Sequence, residues 1–209
     1  GFHRNIAIGY QTMANVGSNG PDDNIAMGYT ALNDITTGGY NVGIGSYVLE
    51  NLTTGTDNVA IGHVALSGGN STEGNTAVGA YSLQAQTSGT RNTGLGYYAS
   101  QKSTSQADGT HVGYMAGYKI TTGTSNTSVG SQALYDCNTG SKNTCLGFKA
   151  GNSGTNDITS GSNNLILGYN AAASSAMMNL VSAAANRFLL CKCLKSSPPQ
   201  AHSVARCNA

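Results

Sequence analysis

Residues 41–79 read NVGIGSYVLENLTTGTDNVAIGHVALSGGNSTEGNTAVG, and one short motif occurs three times within them. The motif is Asn-x-small-aliphatic-Gly, and its copies here occupy residues 41–45, 58–62 and 75–79. The copies follow one another with a 17-residue period. Self-similarity at a fixed period is the sequence signature of a repeat architecture, so this stretch decides the fold.

The same period extends along most of the chain. The glycines that close the motif are Gly9, Gly28, Gly45, Gly62, Gly79, Gly96, Gly113, Gly130, Gly147 and Gly168. The first step between them has a length of 19, the next seven steps have a length of 17, and the last has a length of 21. The longer steps predict loop insertions in the terminal coils.

A 17-residue unit is too short for a helix pair, but it suffices for two strands of about five residues and two turns. The repeat therefore predicts an all-β fold, a parallel β-solenoid of about ten 17-residue coils with two short strands per coil. Stacked coils rise by about 4.8 Å each, which gives a rod on the order of 50 Å long.

Within the motif, a large apolar residue precedes the glycine, and a small residue precedes the large one. Side chains alternate between the two faces of a strand, so the large residue shares a face with the residue two positions earlier. We expect that face to point inward. The small residues would then form an opposite face that permits close approach by another sheet, and this second face predicts a homo-oligomer.

Three further sets of residues recur with the period. The asparagines that open the motif predict an amide ladder at the turn, formed by Asn24, Asn41, Asn58, Asn75, Asn92, Asn126 and Asn143. Aromatic residues that follow the glycine are candidate contacts for a surface ligand, although stacking for stability is the favoured explanation: Tyr10, Tyr29, Tyr97, Tyr114, Phe148 and Tyr169. A threonine ladder resembles the flat arrays of ice-binding solenoids, but we expect it to point inward: Thr76, Thr93, Thr110, Thr127 and Thr144.

Composition excludes several functional classes. Charged residues make up 9% of the chain, where about 25% is typical. The net charge is +1 without a basic stripe, so we expect no nucleic-acid partner. The longest apolar runs are only a few residues, so we expect no membrane insertion. The five cysteines form no disulfide framework.

No arrangement of residues predicts catalysis, a cofactor or a metal site. The histidines are expected to be surface or packing residues: His3, His63, His111 and His202. Cys191-x-Cys193 lacks the second paired cluster that a metal site needs. A polysaccharide-degrading solenoid enzyme would need a carboxylate cluster on one face, and none is evident.

The repeated Asn-x-Ala-x-Gly motif, followed by a small residue and Leu, resembles the head repeats of trimeric autotransporter adhesins. It is also similar to solenoid segments of bacteriophage tail fibres. The resemblance covers residues 5 to about 172 and implies a left-handed β-roll that forms a homotrimer. It divides the chain into a solenoid domain, 1–175, and a non-repeat segment, 176–209, which would cap the solenoid or connect subunits.

The predicted function is that of a structural subunit in a trimeric extracellular or virion fibre, where the rod supplies length and rigidity. The alternative is an adhesin head that binds a cell-surface glycan or protein receptor. Ice binding and polysaccharide degradation are the remaining alternatives. The expected partner is the chain itself, as a homotrimer or an end-to-end filament, at the cell surface, on a virion or elsewhere outside the cell.

Overall fold

The computed structural model describes residues 4–17, 20–154 and 157–171. The predicted segment 176–209, which includes His202 and Cys191-x-Cys193, lies outside the described residues, as does His3. Within the described ranges, ten strands of three residues each follow one another in sequence. They are β1 (Ile6–Ile8), β2 (Ile25–Met27), β3 (Val42–Ile44), β4 (Val59–Ile61), β5 (Thr76–Val78), β6 (Thr93–Leu95), β7 (Thr110–Val112), β8 (Thr127–Val129), β9 (Thr144–Leu146) and β10 (Leu165–Leu167).

The ten strands form one parallel sheet in which each strand pairs with its neighbours in sequence, from β1 to β10. Equivalent repeat positions pair directly, as Val42 with Val59 and Ile44 with Ile61. The prediction of an all-β parallel solenoid with 17-residue spacing is confirmed. Coils are numbered here by their strands, so that coil 3 contains β3.

Each coil contributes one strand, not the two that the sequence predicts. In the segment after the repeat glycine, every second residue has a left-handed backbone, as Tyr47 (φ 56°) and Leu49 (φ 49°) do in coil 3. This alternation directs the Tyr47 N–H to the Tyr29 carbonyl of the preceding coil at 2.9 Å and the Leu49 N–H to the Ala65 carbonyl of the next at 3.1 Å. The backbone is thus hydrogen-bonded between coils without extended geometry, which offsets the cost of about 1–2 kcal/mol for each left-handed residue.

The strand faces are the reverse of those predicted. In coil 3 the small middle residue, Gly43, is buried, whereas the large residue that follows it, Ile44, is 37% exposed. The interior is too thin for a large residue at the middle position, because leucines from the opposite side of the coil reach the strand. A Cβ atom on Gly43 would clash with the Leu32 side chain and lie 3.3 Å from Leu49 Cδ1. The small-residue ladder therefore faces the core, and it cannot be the surface that another chain covers.

The core is a stack of equivalent side chains from successive coils. Among the described residues, six leucines are fully buried. One is Leu52, and the other five lie at one repeat position, four residues after the repeat glycine: Leu32, Leu49, Leu66, Leu83 and Leu134. Contacts group most of the buried apolar residues into two clusters, one ending at Leu83 and the other beginning at Ile120, and the buried Ala99 and Ala116 between them belong to neither. Each fully buried leucine contributes roughly 1.5–3 kcal/mol to folding.

Two kinds of glycine serve different purposes. The repeat glycine Gly45 has φ 139°, a conformation that only glycine adopts readily, and a Cβ there would lie 2.5 Å from the Gly62 carbonyl oxygen. The other kind, Gly55 in the turn after Thr54, provides space and has no positive φ. At Gly55 a Cβ would clash with the Thr72 carbonyl oxygen and lie 2.5 Å from Leu52 Cδ1. The positive φ of this turn falls on Asp57 (φ 59°).

The extra residues of the final step lie between Gly151 and Ile158 in the sequence. The Ile158 N–H donates to the Gly151 carbonyl at 3.1 Å, and Ile158 takes the interior position that Cys137 holds one coil earlier. The insertion therefore leaves the core and the sheet in register, as the longer spacing between the last two glycines predicts.

Candidate interaction surface

One side of the solenoid presents a continuous uncharged surface, here called the outer sheet face. It consists of the first and third residues of every strand and the residue after each repeat glycine. None of these positions holds Asp, Glu, Lys or Arg in any of the ten coils. Its most exposed aliphatic residues are Ile6, Ile8, Met27, Ile44, Ile61, Leu95, Val129, Leu146, Leu165 and Leu167, each 37–55% exposed.

The outer sheet face is large for an uncovered apolar surface. Ten coils at about 4.8 Å each and a width of about 10 Å give an area on the order of 500 Å². That is near the upper end of the roughly 300–600 Å² found for the largest patch on typical monomers, and such patches often mark interaction sites. The in-register pairing of the ten strands keeps the rows of like residues aligned along the rod.

The six aromatic residues predicted as ligand contacts lie along this face and are 39–77% exposed. They stack pairwise between neighbouring coils. The ring centroids of Tyr10 and Tyr29 are 5.5 Å apart, those of Tyr97 and Tyr114 are 6.1 Å apart, and those of Phe148 and Tyr169 are 5.1 Å apart. Because neighbouring rings cover one another's faces, the stack itself uses much of the surface that a ligand would need.

Further aromatic residues, not predicted from the sequence, connect the first two pairs. Tyr47, His63 and Tyr81 join Tyr29 to Tyr97 through edge contacts with centroid separations of 5.2–6.1 Å. Tyr47 and Tyr81 come one position later in the repeat than Tyr29 and Tyr97, so an alignment by repeat position alone misses them. A hydrogen bond with Tyr98 raises the pKa of Tyr97 to about 12, so the Tyr97 hydroxyl is protonated at neutral pH.

Ion pairs connect successive coils outside the outer sheet face. They are Arg4–Asp23 at 2.7 Å, Arg91–Asp108 at 2.7 Å and Lys119–Asp136 at 2.6 Å. The Arg91 guanidinium lowers the pKa of Asp108 through its hydrogen bond. Exposed ion pairs of this kind contribute only about 0–1 kcal/mol each to the free energy of unfolding, so they add little to the stability of the fold.

The seven asparagines of the predicted ladder are buried inside the turn that precedes each strand. In coil 3 the Asn41 backbone N–H and side-chain Nδ2 both donate to Asn24 Oδ1, at 2.9 and 3.0 Å. Asn41 Nδ2 also donates to the Gly55 carbonyl at 2.9 Å. Coil 7 interrupts the ladder because Gly109 stands at the asparagine position, although its N–H still donates to Asn92 Oδ1 at 2.9 Å.

The threonine ladder is on the outer sheet face and is half-buried, so the expectation that it points inward is wrong. Its orientation follows from the reversed strand faces, because each threonine shares a face with an exposed aliphatic residue two positions on. Thr93 accompanies Leu95, and Thr127 accompanies Val129.

The two described histidines occupy different environments. His63 contributes to the exposed aromatic row, whereas His111 is fully buried inside coil 7. Cys137 and Cys145 are free and buried, and burial raises the pKa of their thiols to about 11 and about 12, so both remain protonated at neutral pH. Within the ranges 4–17, 20–154 and 157–171, no group of three or more His, Cys, Asp or Glu side chains could hold a metal ion.

Comparison of the chain with protein-family models, with curated proteins and with solved structures gives no significant match. Among the residues whose structure is described, no helix has the length and apolar character needed to cross a membrane. The surfaces of the solenoid itself are therefore the evidence on function.

Proposed function

We propose that the chain is a structural subunit of a trimeric extracellular or virion fibre, in which the outer sheet face of each solenoid is covered by the other copies. The exposed aliphatic row on this face carries the proposal. Ile8, Ile44 and Leu95 project from a flat sheet at 37–55% exposure, whereas side chains of their size elsewhere in the coil fill the core.

A second copy of the chain matches this surface in length and chemistry. The face is uncharged over its full length, so a partner face without charges leaves no ionic group buried and unpaired. A copy in parallel register also presents an identical spacing of coils. The proposal of three copies rests on the resemblance of the repeat to the trimeric fibre families. The outer sheet face itself requires only that at least one other copy covers it.

The test is the mass of the full chain in solution, by sedimentation equilibrium or light scattering. We expect about three times the chain mass of 21.2 kDa. Ile44→Glu combined with Ile61→Glu should shift the mass to that of one chain, because burying two carboxylates in each subunit's interface without partners is strongly unfavourable. Circular dichroism should show that the coils remain folded, since both side chains are 37–38% exposed in the single chain.

A matched control places the same charges outside this face. Thr54 and Ser88 are exposed in turns between coils, so Thr54→Glu with Ser88→Glu should leave the mass unchanged. A wild-type mass of one chain would overturn the proposal. A mass of two chains would support the interface and refute the trimer.

The adhesin alternative is favoured by the exposed aromatic row. Sugars stack on aromatic rings, and Tyr10 and Tyr169, at the two ends of the described row, are its most exposed members at 66% and 77%. If the rings bind a ligand, Tyr10→Ala and Tyr169→Ala should abolish binding on a glycan array, whereas the internal change Tyr97→Ala should have less effect. If the chain is a fibre subunit that binds no glycan, neither the wild-type chain nor any of these three variants should give a signal on the array.

Ice binding would require the outer sheet face to be free in solution, because the threonines lie on it. Thermal hysteresis from a monomeric chain, lost in Thr93→Leu and Thr127→Leu, would favour that alternative. We expect no thermal hysteresis, because the trimer covers this face.

A further inference from the structure

The interior of the solenoid changes character between coil 5 and coil 8. The apolar clusters end at Leu83 and resume at Ile120. From coil 5 to coil 8, polar side chains occupy interior positions at which other coils have apolar or small residues. They are Gln86, Ser100, Ser103, Gln106, His111 and Ser128, and all are fully buried.

His111 is the centre of this polar segment. Its Nδ1 lies 2.8 Å from Ser128 Oγ in the next coil, and its Nε2 lies 2.5 Å from Gln106 Nε2. Gln106 Oε1 accepts a hydrogen bond from Ser100 Oγ at 2.9 Å, which directs the amide nitrogen toward the ring. The amide N–H therefore donates to Nε2, and the ring is neutral with its proton on Nδ1. A proton added to Nε2 would point at the Gln106 amide N–H, which is itself a donor, so the two groups could not form a hydrogen bond.

The ring fills a space made by two substitutions in the repeat. Gly117 stands where five other coils have a core leucine, and a Cβ there would lie 2.8–2.9 Å from His111 Cε1 and Cγ. Gly109 stands where other coils have asparagine, and a Cβ there would lie 2.7 Å from His111 Nε2. The imidazole is thus enclosed on both sides and is fully buried.

No ionisable group among the described residues faces the ring. The preceding strand presents Gly94, the following strand presents Ser128, the opposite side of the coil presents Gly117, and the turn presents Gln106. A charge on His111 would therefore be buried without a counter-ion. Proteins avoid this arrangement because an unpaired buried charge costs several kcal/mol.

We propose that the polar segment around His111 is an acid-sensitive joint, at which coil 7 opens at mildly acidic pH while the apolar coils on either side remain folded. The proposal is independent of the trimer, because it concerns the interior of a single solenoid. It would allow a fibre to become locally extensible on entering an acidic compartment.

The direction of the pH dependence follows from the difference in the pKa of His111 between the folded and the open states of coil 7. Burial lowers the pKa of His111 from 6.5 to about 3 in the folded chain. The open state binds the proton more tightly, so the joint is fully stable above about pH 6.5 and loses stability as the pH falls toward 3. In that window one proton is taken up per opening, so the open population should rise about tenfold per pH unit.

Hydrogen exchange of the full chain, followed by mass spectrometry between pH 7 and pH 4, tests this directly. Amide protection factors, corrected for intrinsic exchange, should fall about tenfold per pH unit in peptides from residues 109–125. Peptides from residues 41–57 of the same molecules should not change. Equal changes in both regions, or none, would overturn the proposal, and equal changes with a fall in mass would indicate dissociation of the oligomer.

Two variants assign the effect to the imidazole. His111→Gln keeps a polar side chain that does not titrate, so the slope in residues 109–125 should disappear. If that chain does not fold, His111→Ala with Gly117→Leu restores the residue types of coil 4, where Ala60 and Leu66 are both in the core, and should also remove the slope. His63→Gln is the control, because His63 is on the exposed aromatic row, and it should retain the wild-type slope. A slope that persists in either folded His111 variant refutes the assignment.

Discussion

Gly117→Leu should strongly destabilise coil 7, and His111→Ala in the same chain should largely restore it. The backbone is not the obstacle, because leucines at this repeat position have the same left-handed conformation, as Leu49 (φ 49°) and Leu134 (φ 54°) show. The obstacle is the His111 ring, which occupies the space of the new side chain. We expect the single change to cost about 3 kcal/mol or more of the free energy of unfolding, at the upper end for overpacked cores.

His111→Ala alone should cost roughly 2–5 kcal/mol, because it leaves a cavity and deprives Ser128 and Gln106 of a partner. The double variant should be more stable than either single variant, with a coupling of about 2 kcal/mol or more in a double-mutant cycle measured by chemical denaturation. Gly74→Ala is the control for a left-handed glycine, since a Cβ there meets only Arg91, with Cγ at 3.6 Å. If the effects of the two changes on the free energy of unfolding are strictly additive, the two side chains do not compete for the same space.

Asn58→Ala should also be severely destabilising, because it removes one member of the buried amide ladder. Asn58 Oδ1 accepts from the Asn75 N–H at 3.0 Å and from Asn75 Nδ2 at 3.1 Å, while Asn58 Nδ2 donates to the Thr72 carbonyl at 2.9 Å. The change leaves the buried Asn75 N–H and Thr72 carbonyl without these bonds, at about 1–3 kcal/mol each. Asn75 Nδ2 loses one bond but still donates to the Gly89 carbonyl at 3.0 Å. We expect a total loss of about 3–5 kcal/mol in denaturant titrations.

Asn51→Ala provides the comparison in the adjacent pair of coils. Asn51 is exposed, and its side chain makes one hydrogen bond, to the Ser67 carbonyl at 2.7 Å. Its replacement should cost no more than about 1 kcal/mol. If the two variants lose similar stability, the buried ladder does not have the importance that its hydrogen bonds indicate.

The repeat predicts the number, spacing and parallel pairing of the coils because stacking places equivalent positions in contact. It does not reveal which strand face is inside. Large and small residues alternate along the strand, so they lie on opposite faces whether the large residues or the small ones point into the core. The thickness of the coil decides, and Leu32 on the opposite side leaves no room beside Gly43.

One signal in the sequence could have resolved this ambiguity. In coil 7 a large residue, His111, replaces the small one, and in the same coil Gly117 replaces the leucine. A paired exchange of sizes indicates that the two positions face each other across the core. The absence of the second strand could not be predicted, since left-handed residues such as Tyr47 and Leu49 have no distinctive sequence preference for that conformation.

The alignment of strands β2 to β9 at a constant 17-residue offset has a genetic consequence. Deleting residues 58–74 would join coil 3 to coil 5 with asparagine again above asparagine and leucine above leucine. Duplicating them would add one such layer, about 4.8 Å in height. Unequal recombination between the repeats of the gene would therefore change the length of the rod in fixed increments, while the lineage keeps a folded protein at every step.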